Sequence, residues 1–154
     1  MTILMAFARP PDGLRSPAAR CAKLALAARN LLFVYGTLRR GAPMHKLIEG
    51  RATWLGLASA AGCLVDLGAF PGLVPAQGPG DRVHGDLFTI ADAQREELLD
   101  ALDRYEGASF ERVQQAVDGP GGPAHAWLYV YRGAANRRTV IDGGDYLAHS
   151  RRAD

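Results

Sequence analysis

Residues 83–107 read VHGDLFTIADAQREELLDALDRYEG and contain the two kinds of element from which the fold is built. The segment from Val83 to Ile90 is rich in residues that favour β-strands. A short amphipathic helix follows it, with Asp92 as the predicted N-cap and Gly107 as the stop. A strand therefore runs directly into the one helix that the sequence indicates clearly.

Glu106 occupies an unusual position at the end of this helix. Leu99, Leu102 and Glu106 fall at i, i+3 and i+7, so the carboxyl group shares the apolar stripe of the helix. It also lies in the last turn, near the negative end of the helix dipole. Both surroundings disfavour the ionised form, so we expect a raised pKa for Glu106, which suits proton transfer near neutral pH. The alternative interpretation is a frayed last turn that leaves Glu106 in water.

The rest of the chain predicts several short strands separated by turns rich in glycine and proline. The predicted strands cover residues 31–35, 54–57, 62–67, 110–117 and 125–132. Residues 68–75 are interpreted as a turn-rich connection. Many short strands with one helix indicate an α+β fold with a curled sheet or a small barrel. The pattern lacks the long alternating helices of a doubly wound parallel sheet.

Length and composition indicate one domain preceded by an extension. The 154 residues are 48% hydrophobic and 22% charged, as is usual for a globular protein. Residues 1–29 carry five Arg or Lys and one Asp, a net charge of +4, so the remainder of the +2 chain sums to −2. We predict an N-terminal extension over residues 1–29, flexible or partly helical over 17–29, and a domain over residues 30–154. The alternative interpretation of the extension is a basic amphipathic helix that touches a membrane.

Charge and cysteine usage argue against several functional classes. The acidic balance of the domain argues against a nucleic-acid-binding surface, which would be basic. The sequence has no run of about 18 apolar residues, the length of a membrane span. Cys21 and Cys63 belong to no metal-ligand or disulfide spacing. We therefore expect a cytoplasmic protein with no metal site and with no nucleic-acid or membrane partner.

The loop after the first strand is a second candidate site. Residues 35–41 read Tyr-Gly-Thr-Leu-Arg-Arg-Gly, a strand that runs into a glycine-containing turn. Gly36 permits backbone angles that are closed to other residues, and such a turn can aim successive N–H groups at one anion. The Thr37 hydroxyl can add a donor and Arg39 a charge. The alternative interpretation is an ordinary turn at the end of a strand, since the spacing of a P-loop is absent.

Together, these segments resemble the gamma-glutamylcyclotransferase-like family. The resemblance rests on residues 35–41, on residues 102–107 (Leu-Asp-Arg-Tyr-Glu-Gly), and on the later segments 126–131 and 141–146. It runs from Leu31 to His149, with Tyr146 where a tryptophan is more usual. The pattern is similar to the small bacterial branch, which is related to gamma-glutamylamine cyclotransferase and to an enzyme that deprotects gamma-glutamyl aminoglycoside intermediates.

The resemblance implies a small mixed β-barrel with flanking helices, in which the loop and the glutamate face each other across a cavity. It implies that Glu106 is the catalytic acid or base. The substrate-binding residues that it implies are Tyr35, Gly36, Thr37, Leu38 and a late-strand tyrosine, for which Tyr131 is the candidate and Tyr129 the alternative.

The implied reaction is an intramolecular acyl transfer without a metal or organic cofactor. The α-amine of a gamma-glutamyl group attacks its own γ-carbonyl, which releases an amine and forms 5-oxoproline. The implied partner is therefore a small-molecule gamma-glutamyl conjugate. The alternatives are hydrolysis of the same amide by water, and a non-catalytic small-ligand or protein-binding module on the same fold. The sequence leaves the leaving amine and the oligomeric state open.

Overall fold

The strands of this computed structural model, which describes residues 17–18, 28–134 and 139–153, form one continuous sheet. They are β1 (Leu31–Val34), β2 (Ala52–Ala61), β3 (Cys63–Asp66), β4 (Pro71–Val74), β5 (Arg82–Ile90), β6 (Phe110–Gly119), β7 (Gly122–Tyr131) and β8 (Thr139–Val140). The elements outside the sheet are α1 (Asp92–Glu106), α2 (Tyr146–Ala153) and two short 3-10 helices, His45–Leu47 and Asp142–Gly144.

Five of the strands close into a barrel. The order along the sheet begins β1-β5-β2-β6-β7, and β7 pairs back with β1. The closing pair is parallel, with Leu32 opposite Trp127, whereas the other pairs in the ring are antiparallel. The predicted α+β fold, a small mixed β-barrel with flanking helices, is therefore confirmed. Strands β4, β3 and β8 extend the sheet from β7.

The barrel wall opens beside β7, where a tyrosine joins the two edges. One edge of β7 is paired with β6 along its whole length. The other edge of β7 pairs first with β1 at Trp127 and then with β4 at Val130. Between these points the Tyr35 hydroxyl accepts a hydrogen bond from Leu73 N at 3.2 Å and donates one to the Tyr129 carbonyl at 2.6 Å. The side chain thus replaces strand pairing where β1 turns away from β7.

Two apolar clusters hold the barrel and its helix together. Alternation along β1 directs Phe33 into the first cluster, inside the barrel, and Leu32 and Val34 into the second. The second cluster also contains the buried leucines of α1, which are Leu98, Leu99 and Leu102. Complete burial of one such side chain contributes about 1.5–3 kcal/mol. This stripe therefore fixes the end of α1 against the barrel.

Two local predictions are wrong. Strand β4 lies within the residues interpreted as a turn-rich connection, because Pro71 is tolerated as the first residue of a strand. The N-cap of α1 is Ala91, and Asp92 is the first helical residue. The Asp92 carboxylate accepts a hydrogen bond from Asn30 Nδ2 at 2.7 Å instead of capping the helix.

The helix predicted over residues 17–29 lies, apart from its ends, outside the described residues. Within the described part of the chain, no helix has the length and apolar character to cross a membrane.

Candidate active site

Both predicted motifs line one cavity of about 140 Å³ at the opening beside β7. This volume is close to the roughly 150 Å³ of a cavity that holds benzene, so it suits a small head group and excludes a nucleotide. The wall consists of Phe33, Val34, Tyr35, Gly36, Thr37, Leu38, Phe70, Pro71, Tyr105, Glu106, Phe110 and Tyr129. The end of α1 and the loop after β1 therefore meet at the opening of the barrel.

Glu106 is the last residue of α1 and is mostly buried. Gly107 ends the helix with a φ of 78°, and its N–H donates to the Asp103 carbonyl at 3.1 Å. Burial raises the pKa of Glu106 from 4.5 to about 7, and within the described residues no hydrogen bond or opposite charge offsets this burial. The predicted increase in pKa is confirmed, with desolvation as its cause.

The turn after β1 contains main-chain donors that have no acceptor among the described residues. Among the described residues, no protein acceptor receives the N–H groups of Gly36, Thr37 or Leu38. The turn is closed by Arg39 N, which donates to the Gly36 carbonyl at 3.1 Å. Three successive free donors in a cavity wall form a suitable site for a carboxylate or an oxyanion.

Gly36 is needed for a reason other than the predicted one. Its φ is not positive, so the expectation of a backbone angle closed to other residues is wrong. A Cβ atom at this position would instead lie 2.7 Å from Pro71 Cγ, closer than real Cβ contacts allow. The glycine therefore permits β4 to approach the loop and complete the cavity wall.

A pair of hydroxyl groups joins the loop to the end of α1. Thr37 Oγ1 and the Tyr105 hydroxyl lie 2.8 Å apart and form a hydrogen bond. Sequence reasoning missed Tyr105 as a site residue, although it stands beside Glu106 in the quoted motif. It also missed Phe70 and Pro71, which reach the cavity only through the pairing of β4 with β7.

Arg39 anchors the loop and does not face a ligand. Its side chain is buried, with Nε 3.4 Å from Asp86 Oδ2 and Nη1 3.0 Å from Asp145 Oδ1. Asp86 Oδ2 also accepts a hydrogen bond from Arg40 N at 3.0 Å. The expectation that Arg39 supplies charge to a bound anion is therefore wrong, because two carboxylates already hold its guanidinium.

Of the two late-strand tyrosines, Tyr129 lines the cavity and Tyr131 does not. The Tyr131 ring packs against Phe110 at 5.4 Å between centroids, one ring away from the cavity. The Tyr129 hydroxyl donates to Asp103 Oδ1 at 2.6 Å, and Arg112 Nε donates to the same oxygen at 2.9 Å. Burial and this carboxylate raise the pKa of Tyr129. The structure thus favours Tyr129, the alternative candidate, over Tyr131.

All of the site residues described above lie within the part of the chain that matches a known protein family. Residues 32–148 match the family model described as gamma-glutamyl cyclotransferase, AIG2-like. The chain belongs to the gamma-glutamyl cyclotransferase, AIG2-like family. The matched range contains the loop after β1, the end of α1 and Tyr129.

Individual members of the family are similar to this chain over most of their length. The gamma-glutamylcyclotransferase family protein YtfP of Escherichia coli K12 is 37% identical over 123 residues, which cover 75% of this chain and 95% of that protein. The gamma-glutamylaminecyclotransferase of Rattus norvegicus is 30% identical over 109 residues, which cover 60% of this chain and 69% of that protein.

A solved structure shares the architecture. The crystal structure of an AIG2-like protein from Mus musculus superposes with a TM-score of 0.62 at 25% identity, covering 76% of this chain and 87% of that one. Membership of the family confirms the resemblance and the prediction of a gamma-glutamylcyclotransferase-like enzyme, with its substrate open. Within the described ranges, no cluster of three or more His, Cys, Asp or Glu side chains is arranged to hold a metal ion.

Proposed function

We propose that this protein is a cofactor-free gamma-glutamyl cyclotransferase in which Glu106 is the general acid and base. The observation that carries the proposal is the shared cavity: a mostly buried carboxyl group with a pKa of about 7 lines the same wall as three main-chain donors that have no acceptor among the described residues. A carboxyl group with that pKa is present in both protonation states at neutral pH, as proton transfer in both directions requires.

The proposed reaction needs no second substrate. The α-amine nitrogen of the gamma-glutamyl group bonds to its own γ-carbonyl carbon, and the bond from that carbon to the amide nitrogen breaks. Glu106 takes a proton from the α-ammonium group and returns it to the departing nitrogen, and the second proton that the ring-forming nitrogen gives up is released to solvent. The products are 5-oxoproline and a free amine. A reaction between two groups of one molecule gains an effective molarity of about 10⁵ M or more when the cavity selects the folded conformer.

The loop residues bind and orient the head group. The N–H groups of Gly36, Thr37 and Leu38 hold the α-carboxylate or the oxyanion that develops on the γ-carbonyl. One such donor contributes about 10²–10³ in rate in other enzymes. Tyr35 keeps the cavity open, since its hydroxyl joins β4 to β7. Tyr129 also lines the cavity, from β7.

The name of the rat relative, which specifies gamma-glutamyl amines, supports a small-molecule gamma-glutamyl conjugate as the substrate. Release of 5-oxoproline distinguishes this chemistry from hydrolysis, which would release glutamate. We place the catalytic unit in residues 30–154 and keep residues 1–29 as an extension. A cytoplasmic location, without a nucleic-acid or membrane partner, stays a prediction.

The test is to incubate the full chain with gamma-glutamyl amines, gamma-glutamyl dipeptides and glutathione, and to detect products by mass. We expect 5-oxoproline from at least one amine conjugate. Glutamate in its place would indicate the hydrolase, and neither product would indicate a binding module. The Glu106→Gln variant should fold and lose turnover, by about 10²–10⁴ for proton transfer alone. Glu96→Gln, an exposed change on the same helix, is the matched control.

A further inference from the structure

The outer part of the cavity wall consists of aromatic side chains that solvent reaches. Phe70 and Tyr105 are 41% and 37% exposed, whereas Phe33 and Tyr35 deeper in the wall are 1% and 7% exposed. The Phe70 ring lies 5.9 Å from that of Phe110, a normal separation for packed aromatic rings. We call Phe70, Tyr105 and Phe110 the aromatic rim. A group that extends from the cavity on this side would contact these rings.

The described part of the cavity wall offers no positive charge to a second carboxylate. Among the residues that the structure describes, Glu106 is the one carboxyl group of the wall, and no Lys, Arg or His lines it. The guanidinium groups of Arg39 and Arg112 are each paired with an aspartate. A leaving group that carries its own carboxylate would meet Glu106 without a compensating cation, and like charges at short range repel.

The volume of the cavity determines which part of the conjugate it can hold. We call the part of the conjugate beyond the amide nitrogen its arm. A cavity of about 140 Å³ accommodates the glutamyl head and little more. The part of the substrate beyond the amide nitrogen must therefore lie outside, against the aromatic rim. Partly exposed aromatic rings at a cavity entrance gain most from an apolar or aromatic partner, because its contact removes their surfaces from water.

We propose that the substrates are gamma-glutamyl conjugates of arylalkyl amines without a carboxylate, whose aromatic arm rests on Phe70 and Phe110. This proposal rests on the cyclotransferase function above and specifies its substrate class. The bond from the γ-carbonyl carbon to the arylalkyl nitrogen breaks, the proton from the α-amine passes through Glu106 to that nitrogen, and the arylalkyl amine leaves. The reaction consumes neither water nor an oxidant.

Three conjugates with the same head group test the proposal. They are gamma-glutamyl phenethylamine, gamma-glutamyl ethylamine, which lacks the ring, and gamma-glutamyl phenylalanine, which adds a carboxylate to the same ring. The kcat/KM for 5-oxoproline formation should be about tenfold or more higher for the phenethylamine conjugate than for either of the others.

Two variants assign that preference to the rim. Phe70→Ala should lower kcat/KM for the phenethylamine conjugate about tenfold more than it lowers kcat/KM for the ethylamine conjugate. Leu57→Ala is the matched control, because Leu57 is 66% exposed on β2 and does not line the cavity. It should change neither value.

The outcomes separate this proposal from the function on which it rests. Equal kcat/KM for the phenethylamine and ethylamine conjugates, or equal loss on both with Phe70→Ala, would overturn the substrate class and leave the cyclotransferase intact. Absence of 5-oxoproline from all three conjugates and from the wider panel given under the proposed function would refute the cyclotransferase. Calorimetry with the Glu106→Gln variant then decides about the rim: about tenfold tighter binding of the phenethylamine conjugate supports it, and equal binding overturns it.

Discussion

Replacing Glu106 with glutamine should stabilise the folded protein at pH 8 and have little effect at pH 4. Burial moves the pKa of the carboxyl group from 4.5 to about 7. Each pKa unit corresponds to about 1.4 kcal/mol, so ionising Glu106 in the folded state costs about 3 kcal/mol. Between these two pKa values the folded state binds more protons than the unfolded state. The contribution of Glu106 to stability therefore falls as the pH rises through this range.

The assay is urea unfolding of both proteins at pH 5, 6, 7 and 8, with free energies obtained by linear extrapolation. The variant should gain stability over the wild type progressively, up to about 3 kcal/mol at pH 8. The Glu96→Gln variant controls for the loss of a negative charge from the same helix. A difference that is the same at pH 5 and pH 8, or a Glu106→Gln variant less stable than the wild type at pH 8, would refute the argument from burial.

Other perturbations test the loop, the opening and the chemistry. Gly36→Ala should lower the free energy of unfolding by about 1–3 kcal/mol in urea, because its Cβ would lie 2.7 Å from Pro71. Gly78→Ala, with open space around the new Cβ, is the control. Equal effects of the two changes would contradict the close approach of Pro71 to Gly36. Tyr35→Phe should cost about 1–3 kcal/mol by leaving a buried N–H and a buried carbonyl without a partner, and an unchanged urea midpoint would rule out this bridge. The kcat/KM of the wild type should rise with pH and level off above about pH 7 as Glu106 ionises, whereas a flat profile from pH 6 to 8 would exclude it as the base.

The local parts of the site could be predicted because local spacing specifies them. The i, i+3, i+7 stripe and the following glycine fixed the position and burial of Glu106 without knowledge of the barrel. The turn after β1 was also visible as a strand that ends in Gly-Thr. The reason for glycine at position 36 was predicted wrongly, however. A Cβ atom there would lie too close to Pro71, whereas the backbone angle of Gly36 is not unusual.

The remaining parts depend on contacts between distant segments. Arg39 is held by Asp86 and Asp145, which lie 47 and 106 positions further along the chain, so no local pattern indicates its partners. The choice of Tyr129 over Tyr131 depends on where Phe110 packs, because both tyrosines fall on the same face of β7. The pattern alone indicated α+β with a curled sheet or a small barrel, and the family resemblance favoured the barrel.

The Arg39 ion pairs connect the loop after β1 to the C-terminal part of the chain. Asp145 receives both Arg39 Nη1 at 3.0 Å and Ala148 N at 3.2 Å, so one carboxylate begins α2 and steadies the loop. Trimming the protein before Asp145, as is common when a shorter variant is wanted for crystallisation, would remove half of the neutralising charge around a buried guanidinium. Shortened versions of this enzyme would thereby lose rigidity in the loop after β1, the segment that we propose binds the glutamyl head group.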